Sequence, residues 1–128
     1  MKKLIFLLLA VMMLTACGQD IESDQGAVYV NITAEEAKRI MDSEEDYIIL
    51  DTRTEAEYDE GHIPGAIVIP HDEIADRAEE ELPDKDRSIL VYCRSGRRSK
   101  LAAEALVELG YTNIKEFGGI IDWPYEVE

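Results

Sequence analysis

Apolar and polar positions fall into short alternating blocks, and each block predicts an element. Residues 27–32 alternate with the period of a strand. Thr33 with Glu36 is a capping box, so a helix is expected from there to about Asp42. Residues 47–50 form a short apolar run, the mark of a strand buried on both faces. A second capping box, Thr54 with Glu57, opens a short helix that stops near Gly61. Residues 66–69 are apolar and closed by Pro70, and residues 72–82 read as an acidic helix ended by Pro83. Another strand over 88–92 stops at Cys93. Within 99–109, Leu101, Ala102, Ala105, Leu106 and Leu109 recur at helical spacing, and Gly110 ends that helix. A last strand over 114–117 runs into Gly118-Gly119. Short buried strands alternating with helices predict an α/β fold, with a central, mostly parallel sheet of about five strands flanked by helices.

Residues 1–26 do not follow this rhythm. Met1-Lys2-Lys3 is basic, and residues 4–14 are apolar and uncharged, long enough for a signal core but too short to span a bilayer. Leu14-Thr15-Ala16-Cys17 resembles the bacterial lipobox, in which a small residue precedes a cysteine that receives lipid. The resemblance implies a signal peptide over 1–16, a polar tether over 17–26 behind a lipidated Cys17, and one domain over 27–128. It also implies a protein outside the cytoplasm, anchored to a bacterial membrane by its lipid.

A chain of 128 residues is the size of one domain, and nothing repeats at a fixed period. With 46% hydrophobic and 32% charged residues, the chain has a globular rather than a disordered composition. The net charge of −15 repels phosphate backbones, so nucleic acid is not an expected partner. One place runs against that field: Arg94, Arg97, Arg98 and Lys100 cluster, and no acid lies between Asp86 and Glu104. There are two cysteines. If Cys17 carries lipid, Cys93 is the sole thiol and no internal disulfide can form.

Cys93 stands where a buried strand turns into a helix. In open α/β sheets ligands bind beyond the carboxyl ends of strands. A tight loop there turns backbone N–H groups inward, and with the helix N-terminus they form an anion cradle. Gly96 permits a positive φ that other residues resist. Sulfur at the base of such a cradle favours the thiolate, the nucleophilic form, and the nearby arginines favour anions.

The segment Val91-Tyr92-Cys93-Arg94-Ser95-Gly96-Arg97-Arg98-Ser99 resembles the active-site loop of the rhodanese family. Upstream, Leu50-Asp51-Thr52-Arg53, Glu57-Tyr58 and Gly61-His62-Ile63-Pro64-Gly65-Ala66 resemble that family's N-terminal signature. Downstream, Leu109-Gly110-Tyr111, Gly118-Gly119-Ile120 and Trp123 resemble its C-terminal part. The resemblance implies a rhodanese-like three-layer fold and sulfur transfer through a Cys93 persulfide. The donor would be thiosulfate, a persulfide or a polysulfide, and the acceptor a thiol or cyanide. It implies that the backbone of Arg94, Ser95, Gly96, Arg97, Arg98 and Ser99 cradles the outer sulfur, that Arg94 and Arg97 contact the anionic donor, and that no metal or organic cofactor takes part. The same fold includes phosphatases and arsenate reductases, whose loops hold five residues between cysteine and arginine. Here four separate Cys93 from Arg98, a ring that suits sulfur better than a tetrahedral oxyanion. A non-catalytic module that carries sulfur or binds a partner is a further alternative.

Other residues have plainer readings. Asp51 could pair with Arg98 and fix the loop, or cap the turn before Thr54. Arg53 is a supporting residue of the same region. The resemblance places His62 in a structural turn, and a cysteine already ionised needs no base. Nothing in the sequence decides what His71 faces. The two histidines and the remaining cysteine have no zinc spacing, and Trp123 with Tyr125 reads as packing.

Overall fold

The computed structural model describes residues 28–128, so the expected signal peptide, Cys17 and the tether lie outside the described residues. Five strands and four helices alternate: β1 (Tyr29–Asn31), α1 (Ala34–Ser43), β2 (Tyr47–Asp51), α2 (Glu55–Glu60), β3 (Ile67–Val68), α3 (Ile74–Glu81), β4 (Ser88–Cys93), α4 (Arg97–Glu108) and β5 (Ile114–Gly119). The sheet order is β1-β5-β4-β2-β3, and every neighbouring pair is parallel. No described helix is long and apolar enough to cross a membrane.

All six residues of β4 are buried, because it is the middle strand and is covered on both faces. Its side chains alternate between two cores. Ile89 and Val91 pack with Leu50, Ile74, Leu106 and Tyr111 under α3 and α4. Leu90 and Tyr92 pack with Ala37, Ile49, Phe117 and Trp123 under α1 and the C-terminal segment. Each such aliphatic side chain contributes about 1.5–3 kcal/mol on burial, so the sheet axis is the rigid part on which the strand ends are mounted.

Both capping boxes form as the sequence predicts. The Thr33 side chain accepts from the Glu36 N–H, and the Thr54 side chain from the Glu57 N–H. Several boundaries shift by a residue or two, and two of the shifts bear on the site. The acidic helix begins as a 3-10 turn over His71–Glu73, pinned where the His71 N–H donates to the Thr52 carbonyl at 2.9 Å. Helix α4 starts at Arg97 rather than Ser99, because Gly96, at φ 110°, lets the chain turn into the helix with no side-chain cap.

Candidate active site

Strand β4 delivers Cys93 to the carboxyl edge of the sheet, and α4 begins four residues later. Cys93 is 1% exposed. It is nevertheless not in an apolar hole, since the Gly96 N–H points at Sγ from 2.9 Å and the Ser99 hydroxyl lies 3.4 Å away. Burial is the largest influence on the thiol and pushes its pKa up. The Ser99 hydroxyl and the backbone N–H groups of Ser99, Gly96 and Ser95 outweigh it, so the net direction is down, toward the thiolate. Cys93 is the free cysteine among the described residues.

The loop is held from outside by the end of β5. The Arg94 carbonyl accepts from the Ile121 N–H at 3.2 Å. Gly119 lies flush against the loop, and a Cβ there would overlap the backbone of Arg94 and Ser95. Only glycine permits that approach. Beneath the loop, the Ser99 hydroxyl also contacts the carboxylate of Glu116, which accepts a second bond from the Gly118 N–H at 3.0 Å. Glu116 is 2% exposed.

The arginines divide into two kinds. Arg94 and Arg97 are exposed, and neither forms an ion pair with a described residue. Arg98 is committed. Its two terminal nitrogens donate to the Glu57 carboxylate at 2.8 and 3.0 Å. That fork is the main reason the Glu57 carboxyl is held down to about 2, with the Thr54 N–H adding to it against the opposing pull of burial.

The pairing of Asp51 with Arg98 is not found. Asp51 is fully buried and taken by Arg53, whose Nη2 donates to it at 2.7 Å, and by the Tyr92 hydroxyl, also at 2.7 Å. Arg53 is only two residues away and folds straight back, so it saturates the carboxylate before a distant arginine can reach it. The same guanidinium donates to the Gly61 carbonyl at 2.7 Å, and Tyr92 accepts from the Ile63 N–H at 3.1 Å. This network fastens the segment after α2 to β2 and β4. Burial, reinforced by the bond to Asp51, raises the Tyr92 pKa, so its hydroxyl stays a donor. His62 stacks on Tyr58 with ring centroids 3.8 Å apart, and its Nδ1 lies 2.9 Å from the Tyr58 carbonyl, as befits a structural turn. Trp123 packs against Phe117 and Tyr125.

Cys93 and residues Ser95, Gly96 and Ser99 of the expected site thus converge, while Asp51 and Arg53 brace the neighbouring segment. The partnerships of two carboxylates escaped sequence reasoning. Glu57 was hidden by its capping role. Glu116 left a legible signal, since it stands two residues after Ile114 in β5 and so shares the face of that buried side chain. The groove of about 460 Å³ lined by Lys38, Tyr47, Trp123 and Tyr125 contains none of residues 93–99, so concavity alone does not point to the sulfur.

Comparison with known proteins gives this geometry a context. Residues 33–124 match the model of the rhodanese-like domain. The chain is 41% identical over 73 residues to the thiosulfate sulfurtransferase PspE of Escherichia coli (strain K12), covering 57% of this chain and 70% of that protein. It is 37% identical over 112 residues to the putative sulfur carrier protein YrkF of Bacillus subtilis (strain 168), covering 87% of this chain but 60% of that longer protein. Among solved structures, a rhodanese with anions from E. coli superposes with a TM-score of 0.60 at 36% identity, covering 64% of this chain and 96% of that one. The rhodanese-like domain of the Anabaena Alr3790 protein superposes with a TM-score of 0.71 at 30% identity, covering 77% of each chain.

Proposed function

The chain belongs to the rhodanese-like domain family, and we propose that it is a sulfurtransferase working through a persulfide on Cys93. One observation carries the proposal: a buried sulfur at a strand end with the N–H groups of Ser95, Gly96 and Ser99 favouring its anion. In the first half-reaction the Cys93 thiolate attacks the sulfane sulfur of the donor. The new S–S bond forms on Sγ, and the donor's own bond to that sulfur breaks with its electron pair, so thiosulfate leaves as sulfite. In the second, a thiol or cyanide takes the outer sulfur and the thiolate returns. The loop amides then face the outer sulfur, where the charge resides, and stabilise it as they do the thiolate.

Arg94 and Arg97 are the proposed donor contacts, since they are exposed beside the loop with no ion-pair partner among the described residues. Arg98 is assigned a supporting role, its terminal nitrogens being engaged by Glu57. An arginine so engaged cannot present that fork to a tetrahedral oxyanion, which argues against phosphatase or arsenate reductase chemistry. The resemblance to a thiosulfate sulfurtransferase supports thiosulfate as a donor, and the resemblance to a putative sulfur carrier supports a second reading, in which the persulfide is carried to a partner. We further propose that residues 1–16 are a signal peptide and that Cys17, lipidated, anchors the domain over 27–128 outside the cytoplasm by the tether over 17–26. That reading is supported by the basic, apolar and Leu14-Thr15-Ala16-Cys17 pattern.

The test is release of thiocyanate from thiosulfate and cyanide. Many turnovers per molecule, abolished in Cys93→Ser, would support the enzyme. A single turnover would support the carrier. Hydrolysis of an aryl phosphate without thiocyanate release would overturn both. Loss of membrane association in Cys17→Ser tests the anchor.

A further inference from the structure

Glu116 is a buried acid that the proposed chemistry does not use. It lies directly behind the nucleophile: Sγ to the Ser99 Oγ is 3.4 Å, and that Oγ in turn contacts Glu116 Oε2. Cys93, Ser99 and Glu116 are 1%, 0% and 2% exposed, so water does not compete for these bonds. The Ser99 hydroxyl has one proton and several acceptors around it, namely Glu116, the Gly96 carbonyl at 3.1 Å, the Gly118 carbonyl at 3.5 Å and the sulfur. A carboxylate is the strongest acceptor of the set. When it takes the proton, Ser99 turns a lone pair to the sulfur and accepts from the S–H, which favours the thiol. When the proton swings back to the sulfur, it favours the thiolate.

We propose that Glu116 is a positioning residue which, by claiming the Ser99 proton, keeps Cys93 from ionising as fully as its cradle would otherwise allow. This rests on the reading of Cys93 as the nucleophile. Its value is kinetic. A thiolate made too stable by donors becomes a poor attacker, and the best attacking thiol titrates near ambient pH. The loop amides pull ionisation one way, and a carboxylate behind them pulls it back. The other ionisable groups facing the pair are Lys100 of α4, 3.9 Å from Glu116 Oε1, Arg98 of α4, and Tyr29 of β1, whose pKa is raised first by burial and then by Glu104 and Glu116. Lys100 lies on the solvent side of the carboxylate, and Arg98 stays bound to Glu57.

The test is the rate at which iodoacetamide alkylates Cys93 as a function of pH, read at that residue by mass spectrometry in the full chain. Glu116→Gln keeps an acceptor for the Gly118 N–H and removes the charge. Its apparent Cys93 pKa should fall by about one unit, and its limiting alkylation rate at high pH should fall below wild type. In a Ser99→Ala background the same substitution should shift the pKa less than half as far. Should Glu116→Gln not fold, Glu116→Asp carries the test, because a retracted carboxylate releases Ser99 and must also lower the pKa. An unchanged or raised pKa overturns the proposal, as does a shift undiminished by Ser99→Ala. Alkylation reads this titration whether or not sulfur is transferred, so failure here is distinct from failure of the sulfurtransferase reading.

Discussion

Arg98 and Glu57 form a two-pronged ion pair, 2.8 and 3.0 Å long, that ties the first turn of α4 to α2 across 41 residues of sequence. Because the Glu57 carboxyl is held at about 2, below its usual 4.5, the pair contributes fully above that usual value and is lost as pH falls through about 2. Glu57→Gln should therefore lower stability at pH 7 by on the order of 2 kcal/mol. It should also flatten the loss of stability between pH 4.5 and 2. Urea unfolding at pH 7, 4 and 2.5 measures both effects.

Asp51→Asn leaves the 6%-exposed Arg53 without its counter-charge. Breaking a buried pair from one side costs about 3–5 kcal/mol, so thermal unfolding should shift down strongly. Alkylation of Cys93 in the protein that remains folded should stay close to wild type, because Asp51 braces the segment after α2 rather than the sulfur.

Gly119→Ala pushes a methyl group into the backbone of Arg94 and Ser95. Overpacking of this kind costs about 1–3 kcal/mol. The larger effect falls on catalysis, where a displacement of the loop should lower thiocyanate formation by about 10²-fold. Stopped assays with folded protein separate the two losses.

Arg94→Ala and Arg97→Ala remove exposed charges. Each should raise the KM for an anionic donor by about tenfold, the worth of one charge-assisted hydrogen bond, while kcat changes little. The wild-type KM should rise with salt, and the double variant should lose most of that dependence. A neutral persulfide donor should be affected far less.

What the sequence made legible was local or periodic. Capping boxes at Thr33 and Thr54 depend on residues three apart, and both formed. The buried runs gave the parallel strands, and the strand-to-helix turn at Cys93 gave the cradle. Long-range partnerships were not legible. Glu57 satisfies its own helix cap and still reaches Arg98, and nothing in a capping box announces a second partner. Asp51 was expected to reach along the sheet edge, yet the backbone after β2 bends so that Arg53 returns to it. Glu116 lay between Lys115 and Phe117, where an acid reads as a solvent-facing residue unless the strand's inward face is counted residue by residue.

The most direct measurement is the intact mass of the folded protein after exposure to thiosulfate, a persulfide and a polysulfide. A gain of one sulfur atom, localised to Cys93, absent in Cys93→Ser and discharged by cyanide or a thiol, is the expected result. A folded wild-type protein whose Cys93 alkylates readily, but whose mass is unchanged by every donor, would contradict persulfide chemistry at this loop.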